Sequence, residues 1–279
     1  MIYTYLKMIR CLAYLLMFGL SNVAIAQVWQ ATQGDIIEVT MRGDKTIQSL
    51  TCMDESWPIK KMADGLWHGW IGIDLQQASQ TYPVIWQSLK TRNIDSLVVK
   101  KGNFRISRIT VKKKMSDFDA KAVRRIRADQ KAIRNTYKMT VDGMPDFEHA
   151  VAPVKGIEST PFGAQRYVNG QAKSPHSGVD IAAAKGTPIM APLSGKVLLI
   201  EDMFLNGKLM AIGHGDGLVT VYAHLNQTHV LQGQWVQAGQ HIADVGSTGR
   251  STGPHLHWGM HFKHARVNPT SIVQSYRRK

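Results

Sequence analysis

Gly253-Pro254-His255-Leu256-His257-Trp258-Gly259 is the stretch whose reading decides the fold of this 279-residue chain. Histidines two residues apart cannot share a face of a helix, but in a β-strand they must. A strand here turns Leu256 into a core and sends both imidazoles to the opposite side. The residues upstream have the same texture. Glycines punctuate Gly156 to Gly259 every few residues, with short apolar runs at Lys196 to Ile200, Leu209 to Ile212, Leu218 to Tyr222 and Gln240 to Val245. No segment there sustains a helical period, so an antiparallel, glycine-rich sheet is expected over residues 154–270.

Two further groups in that region carry chemistry: His176 and Asp180 in Pro175-His176-Ser177-Gly178-Val179-Asp180, and His224 in Val221-Tyr222-Ala223-His224-Leu225. Two neutral imidazoles and one carboxylate form a three-ligand set that leaves a fourth zinc position open for water. His176, Asp180 and His257 are the expected ligands. His255, on the same strand face as His257, is placed to act on the bound water, and His224 to stabilise a developing oxyanion. His68, His149, His229, His241, His261 and His264 are read as structural, and His214 as fixing a tight turn. Asp244 is read as turn chemistry. No His-Glu-x-x-His helix is present, which excludes the helical zinc-protease arrangement.

The rest of the chain reads as follows. Lys7 and Arg10 precede an apolar run from Cys11 to Leu20, then Ala24-Ile25-Ala26, the pattern of a cleaved signal peptide over residues 1–26. The run is about half the length of a bilayer span. An exported, periplasmic or secreted protein is therefore expected, rather than one held by an uncleaved anchor. Cleavage leaves Cys52 as the single thiol, so the fold stands on its core without an internal disulfide. The 44% apolar content is ample for that core.

Residues 27–114 alternate with turn signals about every ten residues and predict a small, Ig-like β-sandwich. Its strands are expected at Ile36 to Met41, Thr46 to Met53, Met62 to Ile73, Tyr82 to Leu89 and Arg105 to Val111. Trp67, Trp70 and Trp86 are assigned to its interior. Ser116 is the expected cap of an amphipathic helix carrying Val123, Ile126, Ile133 and Tyr137 at helical spacing. Residues 115–153 comprise this helix and a linker containing Gly143 and Pro145. The chain carries +14, with fourteen Lys/Arg between Lys100 and Lys138 against Asp117, Asp119 and Asp129. The basic helix within that stretch, residues 116–138, suits an anionic envelope surface. No recognition motif accompanies it, so specific nucleic-acid binding is not expected. Residues 271–279 form a basic tail. Nothing in the sequence fixes an oligomeric state.

The linked motifs from about Thr160 to Pro269 resemble the M23 zinc metallopeptidases, the lysostaphin/LytM-type peptidoglycan endopeptidases. They are Phe162-Gly163 with Tyr167-Val168-Asn169-Gly170, His176-Ser-Gly-Val-Asp180-Ile, Gly186-Thr-Pro-Ile, Tyr222-Ala-His224-Leu, and Gly246-Ser-Thr-Gly249-Arg-Ser-Thr-Gly253-Pro-His255-Leu-His257-Trp. The resemblance implies one zinc ion per chain on His176, Asp180 and His257, with His224 and His255 as catalytic histidines. Asn169 and Tyr222 are then candidates for substrate contact. It also implies peptidoglycan as substrate and, by the Gram-negative envelope architecture, D,D-endopeptidase activity. The alternative expectation is a non-catalytic relative that binds the wall or activates another hydrolase.

Overall fold

The computed structural model describes residues 26–43, 47–110 and 118–273. Nearly all of the signal-peptide stretch, the Ser116 cap, the end of the 105–111 strand and most of the basic tail lie outside the described residues. The chain is mainly β. Its first strands are β1 (Val28–Thr32), β2 (Ile36–Met41), β3 (Ile47–Cys52), β4 (Glu55–Trp57), β5 (Ile59–Lys61), β6 (Trp67–Gly72), β7 (Thr81–Ser88), β8 (Arg92–Lys100) and β9 (Ile106–Ile109). One α-helix follows, α1 (Ala120–Thr136).

The C-terminal strands begin with β10 (Ile157–Thr160), β11 (Gln165–Val168), β12 (Gln171–Ala172), β13 (Gly178–Ala182), β14 (Pro188–Met190) and β15 (Gly195–Met203). The remainder are β16 (Gly207–Gly213), β17 (Leu218–Thr228), β18 (Trp235–Val236), β19 (His241–Val245), β20 (His255–Phe262) and β21 (Ala265–Val267).

Two sheets form from the N-terminal strands, ordered β1-β8-β7-β3-β4 and β2-β6-β5. Alternation explains how they close on a core. Val84, Trp86, Leu97 and Val99 point inward from β7 and β8, and Val39 and Ile71 from β2 and β6, whereas Trp70 faces the other side and is covered by Phe147. Cys52 is buried at the end of β3, an apolar filler as its context suggests. Of the three tryptophans, Trp86 is fully buried, Trp70 nearly so and Trp67 partly.

Three features of the strands and the linker differ from the sequence reading. Strand β8 was not anticipated, because its first half is polar; Asp95 is nevertheless buried there and accepts from the Gln27 backbone N–H at 2.8 Å. Strand β9 does not complete the N-terminal sheets. It pairs in parallel with β11, Gln165 opposite Ile106, in a three-stranded sheet β12-β11-β9. The stretch expected as a linker is docked: Phe147, in a single 3-10 turn (Phe147–His149), packs against Trp70 and Phe262 with ring centroids 5.9 and 6.3 Å away.

The ten-stranded C-terminal sheet is antiparallel throughout, with β10-β13-β20-β17-β16-β15-β18 as its main path. Leu256, Trp258, Met260 and Phe262 of β20 are all fully buried on one side, and His255 and His257 lie on the other, as the His-x-His alternation requires. Helix α1 packs on β15 and β16. Its N-cap is Asp119, not Ser116; the side chain accepts from the Ala122 N–H at 2.7 Å. Ala132, Ile133 and Tyr137 lie on Leu198, Met203, Leu209 and Val221, and the Tyr137 ring stacks on His261 at 3.7 Å. Lys121, Arg124, Arg125, Arg127, Lys131 and Arg134 are exposed.

Phe262 joins the two halves of the core. It meets Trp57 edge-on at 5.3 Å as well as Phe147, and a side chain at Gly72 would run into it at 3.2 Å. Phe262→Ala is expected to cost about 3–5 kcal/mol, the usual range for deleting a buried phenyl ring. Denaturant unfolding followed by tryptophan fluorescence measures it. A cost below about 1 kcal/mol would mean the cavity collapses and the ring is not a keystone.

Candidate metal centre and cleft

Strands β13 and β20 set Asp180 directly opposite His257. They approach closely because Gly178 has no side chain; a Cβ there would sit 2.5 Å from the Trp258 carbonyl oxygen. His176 lies just before β13. Its backbone is pinned on both sides, the N–H donating to Ala164 O at 2.9 Å and the carbonyl accepting from Gly163 N at 2.8 Å.

Hydrogen bonding fixes the state of the His176 ring. Nδ1 faces the Pro161 carbonyl at 3.1 Å. A carbonyl only accepts, so Nδ1 carries the proton and Nε2 is a bare lone pair. That Nε2 lies 2.9 Å from Asp180 Oδ1 and 3.0 Å from His257 Nδ1, and the last two are 2.8 Å apart. Three electron-pair donors thus converge on one point, where a single shared proton can satisfy only part of the set. An N2O donor set of this kind fits a zinc-type dication.

The charge on Asp180 is held by its surroundings. Burial opposes ionisation, but the hydrogen bond from His257 and the close approach of the His176 ring overcome it and keep the carboxyl far below the ordinary carboxylate range. Its second oxygen, Oδ2, accepts from the Arg166 guanidinium at 2.7 Å. Arg166, on β11, was not singled out from the sequence; only its place in the sheet shows that it orients a ligand. For His176, burial pushes the imidazole pKa down, favouring the neutral ring. Arg166→Gln is expected to leave the fold intact and weaken zinc binding by about 10–100-fold, the usual effect of losing a ligand's supporting partner. Calorimetric titration of the metal-free chain measures this, and an unchanged affinity would remove Arg166 from the centre.

The two remaining histidines flank the trio. His224 sits at an irregularity in β17, with φ 61°, and its backbone N–H donates to Asn206 O at 2.9 Å. Its neighbour Ala223 pairs with His257. The His224 ring lies 4.6 Å from His255 and 6.4 Å from His257, centroid to centroid. Nδ1 of His224 donates to Thr248 O at 2.8 Å, and Nδ1 of His255 to Gly253 O at 2.9 Å. Both rings therefore present Nε2. Burial pushes the His224 pKa down to about 4.

All of these groups except His176 line one open cleft of about 560 Å3. Its walls include Arg166, Lys173 and Arg250 from the C-terminal strands and loops, Gln130 from α1 and Ser107 from β9.

Two expected substrate contacts are placed elsewhere. Tyr222 is fully buried, its hydroxyl 2.8 Å from Thr220 Oγ1, which is 2.7 Å from His214 Nε2. It serves a buried polar chain beneath the sheet, because it precedes the β17 irregularity that turns His224 outward. Asn169 forms the turn between β11 and β12 with φ 51°. The cleft takes Arg166, Val168 and Lys173 from this hairpin, and Asn169 is not in its wall. His214, read as a turn residue, is buried with Nδ1 donating to Ser194 O, and its own N–H closes the turn on Leu218 O.

Comparison with known proteins places this geometry. Residues 174–269 match the model of peptidase family M23. The DD-carboxypeptidase/endopeptidase Mpg of Neisseria meningitidis is 40% identical over 115 residues, 41% of this chain and 26% of that protein. The peptidoglycan DD-endopeptidase ShyA of Vibrio cholerae is 39% identical over 95 residues, 34% of this chain and 22% of that protein. The chain thus spans about a quarter of the length of these curated relatives. A crystal structure of a peptidase M23 from Pseudomonas aeruginosa superposes over 87% of this chain and 94% of its own, with 27% identity and a TM-score of 0.70. That likeness takes in the N-terminal sheets as well as the C-terminal one. The ordered His176, Asp180 and His257 donors lie within residues 174–269, the stretch of this chain that matches peptidase family M23.

Proposed function

We propose that this chain is a zinc metalloendopeptidase of the cell envelope that hydrolyses peptide cross-links of peptidoglycan, most specifically as a D,D-endopeptidase. One observation carries the reading. Three converged metal donors, His176, Asp180 and His257, stand beside two histidines that present Nε2 at the same open cleft. The names of the Neisseria and Vibrio relatives support the substrate class.

A zinc ion bound there, one per chain, supplies a Lewis acid that lowers the pKa of a coordinated water to about 7 and polarises a carbonyl. The side chains do the rest. His255, neutral with its proton on Nδ1, takes a proton at Nε2 as general base, the role an imidazole fits near neutral pH. The resulting imidazolium returns that proton to the leaving amine. Thr248 O holds the Nδ1 proton of His224 and burial keeps the ring neutral near neutral pH, so it presents a lone pair at Nε2 and can donate to the oxyanion only after taking up a proton there. Arg166, Lys173 and Arg250 make the cleft cationic, which suits stem peptides carrying free carboxylates. The exposed basic face of α1 suits an anionic envelope polymer. Export by the N-terminal signal would bring the enzyme to this substrate.

Digestion of purified sacculi, with products separated and weighed, tests the proposal. Release of monomeric muropeptides at the expense of cross-linked dimers is expected, cut at the D-alanyl bond. Sacculi that retain the protein yet yield no fragments would favour the wall-binding or activator alternative.

A further inference from the structure

We propose a second, surface metal site formed by His229, His241 and Asp244, which takes a divalent transition cation of the zinc or copper type. His229 Nε2 lies 2.8 Å from Asp244 Oδ2, and His241 Nε2 lies 2.8 Å from Asp244 Oδ1. The two rings are 4.3 Å apart, and the donor atoms of all three residues lie within 4.8 Å of one another. None of the three lines the cleft around His257.

The backbone is shaped to make this trio. His241 and Asp244 are three apart on β19, a spacing that puts side chains on opposite faces of a regular strand. The register against β14 removes that obstacle. Ile189 pairs with Ala243, but Met190 pairs with His241, so Ile242 is an extra residue bulged out of the ladder. Ile242 and Ala243 are both fully buried in consequence, and His241 and Asp244 flank them on the outer side. His229 arrives from the end of β17, where Thr228 pairs with Ala243 and the His229 N–H donates to Ile242 O at 2.8 Å. Both strands therefore hold the trio through main-chain bonds, without depending on the side chains themselves.

The chemistry of the set is that of a cation site with room for water. Two imidazoles and a carboxylate form an N2O set, for which copper(II) and zinc rank high among divalent metals. Without a cation, the Asp244 carboxylate accepts an N–H from each ring. A cation replaces these two protons on Nε2, and the rings change to their Nδ1–H tautomers by exchange with solvent. Side-chain exposures of 31% for His229, 40% for His241 and 16% for Asp244 leave that exchange and coordinating water unobstructed. Asp180 of the first centre is more buried, at 9%, and Arg166 orients its second oxygen, so the surface site is expected to be the weaker of the two, by at least about tenfold.

Titration of the full, metal-free chain with zinc, read by calorimetry, decides the matter. The expected stoichiometry is two ions for the wild type, and one each for His241→Ala, Asp244→Asn and His176→Ala. Asp244→Asn is nearly isosteric and serves if His241→Ala does not fold. In His176→Ala loaded with copper(II), electron paramagnetic resonance is expected to show nitrogen couplings that His241→Ala removes. Equal stoichiometry for wild type, His241→Ala and Asp244→Asn would overturn the site. A single ion that survives His176→Ala but is lost in Asp244→Asn would support it, and would count instead against the first centre.

Discussion

The His176→Ala chain is expected to lose tight metal binding at the cleft and hydrolysis together, while remaining folded. His176 contributes a lone pair already fixed on Nε2 by its bond to the Pro161 carbonyl, so no other nearby ring can replace it without rebuilding the Gly163–Ala164 turn. Removing it leaves two donors, Asp180 and His257, which already hydrogen-bond to each other at 2.8 Å. The loss of affinity should exceed the roughly 10–100-fold expected for a supporting partner such as Arg166. Hydrolysis should fall to background, because without the cation His255 faces ordinary water and no Lewis acid polarises the carbonyl. The buried carboxylate keeps Arg166 as counter-ion, so the loss of stability stays small compared with Phe262→Ala. Metal analysis after gel filtration, with unfolding of the same preparation, checks both halves of this expectation. Activity retained at more than a few per cent would mean that the centre lies elsewhere.

His255→Ala separates chemistry from binding. Its Nδ1 bond to Gly253 O, with Ser251 Oγ 3.3 Å away, aims Nε2 without involving the three converged donors. Metal content should be unchanged, and kcat/KM should fall by roughly 10²–10⁴-fold, the usual contribution of a general base. Loss of metal in this variant would make His255 a ligand; unchanged kcat/KM would pass the base role to His224.

Much of this was legible before any coordinates, for identifiable reasons. Strand alternation alone put His255 and His257 on one side of β20 and Leu256 on the other, and the short spacing from His176 to Asp180 anticipated their meeting. The lost information lay in irregularities that no period encodes. The kink that turns His224 toward the cleft and leaves Tyr222 beneath the sheet is one residue long. The bulge at Ile242 that unites His241 with Asp244 is the same size, which is why those histidines read as structural. Parallel pairing of β9 with β11 joins residues far apart in the chain, so Ser107 and Arg166 could not be assigned to one cleft. The helix was found but its cap was not: Ser116 and Asp119 are both good capping types, and only the backbone at Asp119 chooses between them.

The most direct test of the central claim is removal and return of the metal during digestion of purified sacculi. The chain stripped by a chelator should release no muropeptides, and stoichiometric zinc should restore release in the wild type and not in His176→Ala. Cross-link cleavage that persists in the fully stripped protein, or that zinc restores equally in His176→Ala, would contradict the account.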